Sequence, residues 1–308
     1  MRVLLLGASG FLGRHVDAAL ASEPAFDLVR HVHNASDEPD ELALDLAAAD
    51  DRLADLVARA APDAVVNCAG TTDDAARLDA LNVQLVARLL NAIRASAPNA
   101  RVVHLGSAAE YGATPPGEPI SEATPPRPLS PYGASKLAGT MLVTAAIESG
   151  LEGVVLRVFN PIGAGMPSGS LAGNAARRLR EAIGGGSASI SLGPLGDWRD
   201  FLAASDVGGA VIAALRAPGG GAPVINIGRG EAIQVRELVG RLAAIAGFDG
   251  EVREESAPSG RSAAVPWQLA DTTLARTILG WEARRPVDDA LAELWRATPG
   301  DEPNEAAP

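Results

Sequence analysis

Lysine is nearly missing from this chain. Of its 26 basic residues 25 are arginines, and the one lysine is Lys136, four residues after Tyr132, itself one of only two tyrosines. A single cysteine, Cys68, excludes an internal disulfide and fits a reducing cytoplasm. Aromatic residues make up 4% of the 308 positions, so the core must be built from Ala, Val, Leu and Ile, for which a 47% hydrophobic content is ample. No stretch reaches the roughly 20 consecutive apolar residues of a membrane helix. The opening MRVLLLGASGFLG meets glycines after a short apolar run, unlike a signal peptide. The net charge of -12 disfavours attraction to nucleic acid or anionic membranes, and requires any anionic ligand to meet locally placed arginines. No metal site is expected.

What the chain does have is alternation. Val- and Leu-rich runs near 2–6, 27–32, 63–68, 100–106 and 152–158 read as strands, with Ala-rich stretches of helical period near 11–22, 49–60, 75–97 and 130–149 between them. This order predicts an α/β fold built on a Rossmann-type, doubly wound parallel sheet. Beyond about residue 160, glycine-rich turns at 163–169, 184–186 and 219–221 divide the chain into shorter pieces and point to a smaller α/β C-terminal lobe. The expected division is 1–165 as the nucleotide-binding domain, with a return segment near 205–230. Residues 166–204 and 231–297 would form the lobe, and 298–308 a disordered tail.

The first strand runs into GASGFLG, with Gly7, Gly10 and Gly13 spaced three apart. Glycines there let the backbone turn tightly and approach a pyrophosphate, while the following helix offers its free N–H groups and positive end. The expected cofactor contacts are Gly7, Gly10, Phe11, Leu12, Gly13 and Arg14 in this segment. His33, Asn34, Asp45, Leu46 and Ala69, together with Tyr132 and Lys136, complete the set. The second strand ends in His33 and Asn34 without the carboxylate that holds the ribose hydroxyls of NAD. With Arg14 and Arg30 close in sequence, NADP(H) is favoured and NAD(H) is the alternative. Asp45 reads either as an adenine contact or as an exposed loop acid.

Ser130 suits a helix N-cap and Pro131 the first helical position, which puts Tyr132 in the first turn and Lys136 one turn later on the same face. A free tyrosine ionises near pH 10. A neighbouring ammonium and the positive helix end favour its phenolate and make it useful in proton transfer. A compact ammonium can also bond ribose hydroxyls, which a forked guanidinium does differently. Such chemistry needs a hydroxyl to hold the reacting oxygen, and Ser107, ending the strand near 100–106, stands at the carboxyl edge of the sheet where ligands bind.

With Gly7-x-x-Gly10-x-x-Gly13, Ser107 and Tyr132-x-x-x-Lys136 in order, the chain resembles the extended short-chain dehydrogenase/reductases. The stretches NCAG (67–70), LNVQLVARLL (81–90), RVFNPIGAG (157–165), WRDFLAASDV (198–207) and DTTLARTILGWEAR (271–284) are similar to the nucleotide-sugar epimerases, dehydratases and reductases of that group. GSAAEYG with PISEATPPRPLSPYGASK looks most like the GDP-4-keto-6-deoxy-mannose reductases and the related NDP-4-keto-6-deoxyhexose reductases. The resemblance implies catalysis by Ser107, Tyr132 and Lys136, and a nucleotide sugar held by Ser107, Asn160, Asn174, Arg199 and Arg261. It also implies a homodimer through the helices near 75–97 and 130–149. Dehydratases place an acid and a base beside the serine; here Ala108 and Ala109 follow Ser107, and only Glu110 keeps dehydration open. A nucleotide-sugar 4-epimerase holding NAD and a non-catalytic NADP-binding protein remain the alternatives.

Overall fold

The computed structural model describes residues 1–33, 40–48, 52–72, 74–255 and 265–299. Six strands follow in chain order: β1 (Arg2–Leu6), β2 (Asp27–Val32), β3 (Glu41–Ala43), β4 (Ala64–Asn67), β5 (Arg101–Ser107) and β6 (Gly153–Val158). With the later strand Val224–Ile227 they form one sheet, ordered Val224–Ile227, β6, β5, β4, β1, β2, β3, in which every pairing is parallel. A parallel sheet is covered on both faces, so its central strands are continuous apolar runs. Val3, Leu4, Leu5 and Leu6 are all fully buried, and alternate side chains serve opposite layers. Val3 and Leu5 meet α1 (Phe11–Ala21) and α7 (Ala204–Arg216) through Val16, Leu20, Val207 and Val211. Leu4 and Leu6 meet α2 (Arg52–Ala60) and α4 (Leu85–Ser96) through Leu53, Leu56, Leu89 and Ile93.

The helix expected over 75–97 is in three pieces: α3 (Ala75–Asp79), a π-helical turn Ala80–Gln84, and α4. The wider turn carries Asn82, a buried residue whose side chain bonds other segments instead of water. Helical periodicity does not register such a one-residue insertion, which recurs at functional sites. The strand β3 is absent from the strands read in the sequence, because three residues at a sheet edge carry no apolar run. The remaining helix of the nucleotide side, α5 (Pro131–Glu148), follows the sequence reading closely: Ser130 caps it, its hydroxyl accepting from Gly133 N at 3.1 Å, and Pro131 opens it.

A third core lies apart from the sheet. It packs α6 (Leu171–Gly184) against the helices Val235–Ala246 and Val287–Ala297 through Leu179, Leu238, Leu242 and Leu291. We propose the division into a nucleotide-binding domain and a smaller lobe on these separate cores, with one revision. Leu274, Ala275, Ile278 and Trp281 pack in the first core with α7, so this stretch joins the large sheet. Among the described residues no helix is long and apolar enough to cross a membrane. The expected tail lies outside the described residues from Gly300 on.

The return segment is seated by a close helix contact. At Gly208 a Cβ would stand 2.6 Å from Ala19 Cβ and 2.9 Å from the His15 carbonyl oxygen. Gly208→Ala should therefore push α7 off α1 and lower stability by about 1–3 kcal/mol. A urea midpoint equal to the parent's would contradict this packing.

Candidate active site

The glycine loop is shaped by contacts that admit no side chain. Gly7 adopts φ +77°, and a Cβ there would lie 2.7 Å from Ala69 N, so the loop turns against the end of β4. At Gly13 a Cβ would stand 1.8 Å from Gly7 O, which seats α1 directly on the loop. Gly10 caps α1 without a side-chain hydrogen bond, so the first-turn N–H groups over Phe11, Leu12 and Gly13 keep their donor capacity and positive end. Phe11 sets its ring edge-on to His15, and Leu12 packs into the first core, leaving the main chain for a ligand.

The arginines around this loop are occupied. Arg14 donates to the Ser9 carbonyl at 3.0 Å and lies over Gly165, where a Cβ would come within 2.8 Å of Nη1. Arg30 is held between Asp17, at 2.6 Å, and Asp40. His33 is exposed, with Asp45 4.0 Å from its Nδ1, and Asp45 also accepts from Ala47 N. The buried Leu46 turns its carbonyl to Arg88. Asn34 and Arg261 lie outside the described residues.

The second half of the site forms where β5 ends. Ser107 leaves the strand and caps a short 3-10 turn, Ala108–Glu110, its hydroxyl oxygen accepting from Ala109 N at 3.2 Å. The first turn of α5 sits on this turn, since a Cβ at Gly133 would meet the Ala109 carbonyl oxygen at 2.5 Å. Tyr132 thus stands beside the serine turn. One turn later Lys136 is buried, its Nζ donating to the Leu105 carbonyl at 2.6 Å. Burial pushes the Lys136 pKa down, while the Glu110 carboxylate and then Cys68 pull it back. Burial also pushes the Cys68 thiol up to about 12.

Glu110 is fully buried and has no free oxygen. Its Oε1 accepts from Ser107 N at 2.8 Å and from Thr140 Oγ1 at 3.0 Å, and its Oε2 accepts from Arg157 Nε at 2.7 Å. The Arg157 guanidinium also lies 4.6 Å from the Tyr111 ring centroid. Nothing in this arrangement lets Glu110 reach a substrate, so the acid left open by the sequence is bound into the framework.

Of the residues expected to meet a substrate, Asn160 donates to the Asp200 carbonyl at 3.0 Å and to Gln268 Oε1 at 3.3 Å, and Gln268 donates to the Ala108 carbonyl at 3.3 Å. The chain after β6, the strand Trp198–Asp200 and the segment at Gln268 are thereby tied to the serine turn. Arg199 lies in that strand, buried, with Asp197 at 2.9 Å. Asn174 is not drawn into this network: it sits on α6, where its Oδ1 accepts from Arg177 at 3.0 Å.

Residues 3–228 match the NAD dependent epimerase/dehydratase family. The chain belongs to this family. It is 40% identical, over 96% of its length and 95% of the relative's, to a dTDP-6-deoxy-L-talose 4-dehydrogenase (NAD(P)(+)) from Kitasatospora kifunensis. It is 32% identical to a GDP-6-deoxy-D-mannose reductase from Pseudomonas aeruginosa, over 83% of this chain and 84% of that one. Among solved structures it resembles RMD from Pseudomonas aeruginosa complexed with NADPH, with a TM-score of 0.78 and 28% identity over 96% and 98% of the two chains.

The residues present fit a family member's dinucleotide: the bare N-terminus of α1, the loop that leaves no room for a Cβ at Gly7 or Gly13, and a buried ammonium one helical turn after Tyr132 all lie at the carboxyl edge of one sheet. Two residues of the site escaped the sequence reading. Asn82 accepts from Thr71 N and donates to Thr71 O and to Ser135 Oγ, joining the π turn to α5. Its signal was an amide at a position where the helical period expects an apolar side chain. Gln268 carried no signal, since its partners are remote in sequence.

Two outcomes follow from this geometry. Gly13→Ala should weaken NADPH binding more than about tenfold by fluorescence titration, because the loop must open to admit the methyl group. At pH 8 Cys68, half-buried after the end of β4, should react with a thiol reagent at least about tenfold more slowly than in the unfolded chain, its thiolate being disfavoured by burial. Equal rates would contradict the burial of the thiol.

Proposed function

We propose that this protein is an NADPH-dependent reductase of the C4 ketone in an NDP-4-keto-6-deoxyhexose, with the dTDP-linked sugar as the first candidate and the GDP-linked sugar as the second. The observation that carries the reading is Glu110. With both its oxygens taken by Ser107 N, Thr140 and Arg157, and alanines at 108 and 109, no acid-base pair remains beside Ser107 among the described residues for the removal of water. Hydride transfer at a carbonyl needs no such pair. The 4-dehydrogenase named for the relative from Kitasatospora is the same chemistry written in the direction of oxidation, which supports C4 as the reacting carbon and dTDP as the nucleotide.

When bound, the dinucleotide supplies hydride to C4. The chain's own residues manage the oxygen. Ser107 accepts one hydrogen bond from Ala109 N, which leaves its O–H to donate to the ketone oxygen. Tyr132 gives its phenolic proton to that oxygen as negative charge develops on it, so that C=O becomes CH–OH. The phenolate left behind is stabilised by the Lys136 ammonium, which the Leu105 carbonyl orients. Water then returns a proton to Tyr132. In the direction of oxidation each step reverses.

NADP(H) is favoured because no acid ends β2, with NAD(H) as the alternative. A homodimer through α4 and α5 belongs to the same proposal. Ala134, Met141 and Ala145 form an exposed apolar line on α5, with Met141 61% exposed. Light scattering at the monomer mass would refute it. A cytoplasmic setting, read from the lone Cys68, is proposed with it.

The direct test follows NADPH or NADH absorbance with dTDP-4-keto-6-deoxy-glucose and GDP-4-keto-6-deoxy-mannose offered in parallel. Tyr132→Phe should bind cofactor normally and lose activity by at least about a hundredfold. Full turnover in that variant, or none by the parent on either sugar, would reject the reading.

A further inference from the structure

Glu110 is excluded from the proposed chemistry, yet its carboxylate receives donors from three elements of the site. They are Ser107 N at the end of β5, Thr140 Oγ1 on α5 and Arg157 Nε on β6. The strand is cleared for it: at Gly106 a Cβ would stand 2.8 Å from Glu110 Oε1 and 3.2 Å from Arg157 Cγ. Thr140 follows Lys136 by one turn of α5, as Lys136 follows Tyr132. Two consecutive turns of the helix that carries Tyr132 are therefore fastened to the β5 end, one through Lys136 and Leu105 O and the other through Thr140 and Glu110.

We propose that Glu110 is the positioning residue of the Ser107, Tyr132 and Lys136 site: one carboxylate fixes the Ser107 main chain and α5 together and provides the counter-charge for the buried Lys136 ammonium. This rests on the reductase reading for its catalytic consequence, but its electrostatic consequence does not. The groups facing this pair are few. Arg157 from β6 is paired with Glu110, Tyr111 lies under the Arg157 guanidinium, Cys68 follows β4, and His104 on β5 has its pKa held well below its usual value by burial, then by Lys136. Glu122, which accepts from Asn226 N at 2.7 Å, is a second carboxylate in the field of Arg157, but among the described residues Glu110 is the carboxylate that acts on Lys136. With Lys136 still charged, neutralising Glu110 makes the field at Tyr132 more positive and lets the phenol ionise at lower pH.

The scarcity of tyrosine makes this readable. The chain has two, and burial raises the pKa of Tyr111, so the phenolate step that disappears in Tyr132→Phe belongs to Tyr132. In Glu110→Gln that step should move to lower pH by about half a unit or more. kcat should fall at least about tenfold with KM within about threefold. A folded Glu110→Gln with the parent's phenolate step overturns the proposal. If Glu110→Gln does not fold, Thr140→Val decides. Its Tyr132 step should be displaced and its kcat reduced at unchanged KM, and Thr140→Ser should restore both; parent-like behaviour of Thr140→Val overturns the proposal. The phenolate titration needs no substrate, so a parent without turnover on 4-keto sugars would reject the reductase reading while leaving the role of Glu110 to be decided by the titration.

Discussion

The pairing of Glu110 with Arg157 is the contact on which the site hangs. Two charges withdrawn from water carry a desolvation cost that their attraction does not always recover, and a buried pair is weak evidence of stability by itself. Its value here is geometric. The carboxylate saturates three donors of different elements at once, so the serine turn cannot shift without leaving a buried charge exposed to fewer partners, a change that costs about 3–5 kcal/mol when one member of such a pair is lost. The guanidinium also covers the face of Tyr111, whose hydroxyl donates at 2.7 Å to Oδ1 of Asn226, a residue of the sheet strand Val224–Ile227.

The nucleotide side is built on a different constraint, the exclusion of volume. Gly7, Gly13 and Gly208 each stand where a single methyl group would overlap backbone or another helix. These contacts seat α1 and α7 side by side on the sheet and leave the N-terminus of α1 bare at its carboxyl edge. A helix end without a capping side chain suits a ligand that brings its own negative charge. In a chain of net charge -12, such local positive potential and the buried Lys136 substitute for a basic surface.

Between these two halves buried amides link segments remote in sequence. Asn82 in the π turn joins Thr71 to Ser135, one residue before Lys136, and Asn67 joins Ala69 N to His104. Gln268 closes the far side by joining Asn160 to the Ala108 carbonyl. Each is an amide, able to donate and accept at once, which lets one side chain satisfy two segments where a carboxylate or an ammonium would satisfy one kind of partner.

Local pattern alone determined much of this protein. The apolar runs of β1, β2, β4, β5 and β6, the capped start of α5 at Ser130 and Pro131, the glycine spacing after β1 and the single ammonium behind Tyr132 are properties of neighbouring residues, so composition and period reveal them. The tertiary structure decided what depends on residues far apart in the chain. It broke the helix expected over 75–97 to turn Asn82 inward, and engaged Arg30 with Asp17 and Asp40. It brought Gln268 to the Ala108 carbonyl, and it bound Glu110 to Arg157 across 47 positions. Each of these is set by which partner satisfies a buried polar group, a quantity fixed by the packing of the whole sheet and invisible to any window of sequence.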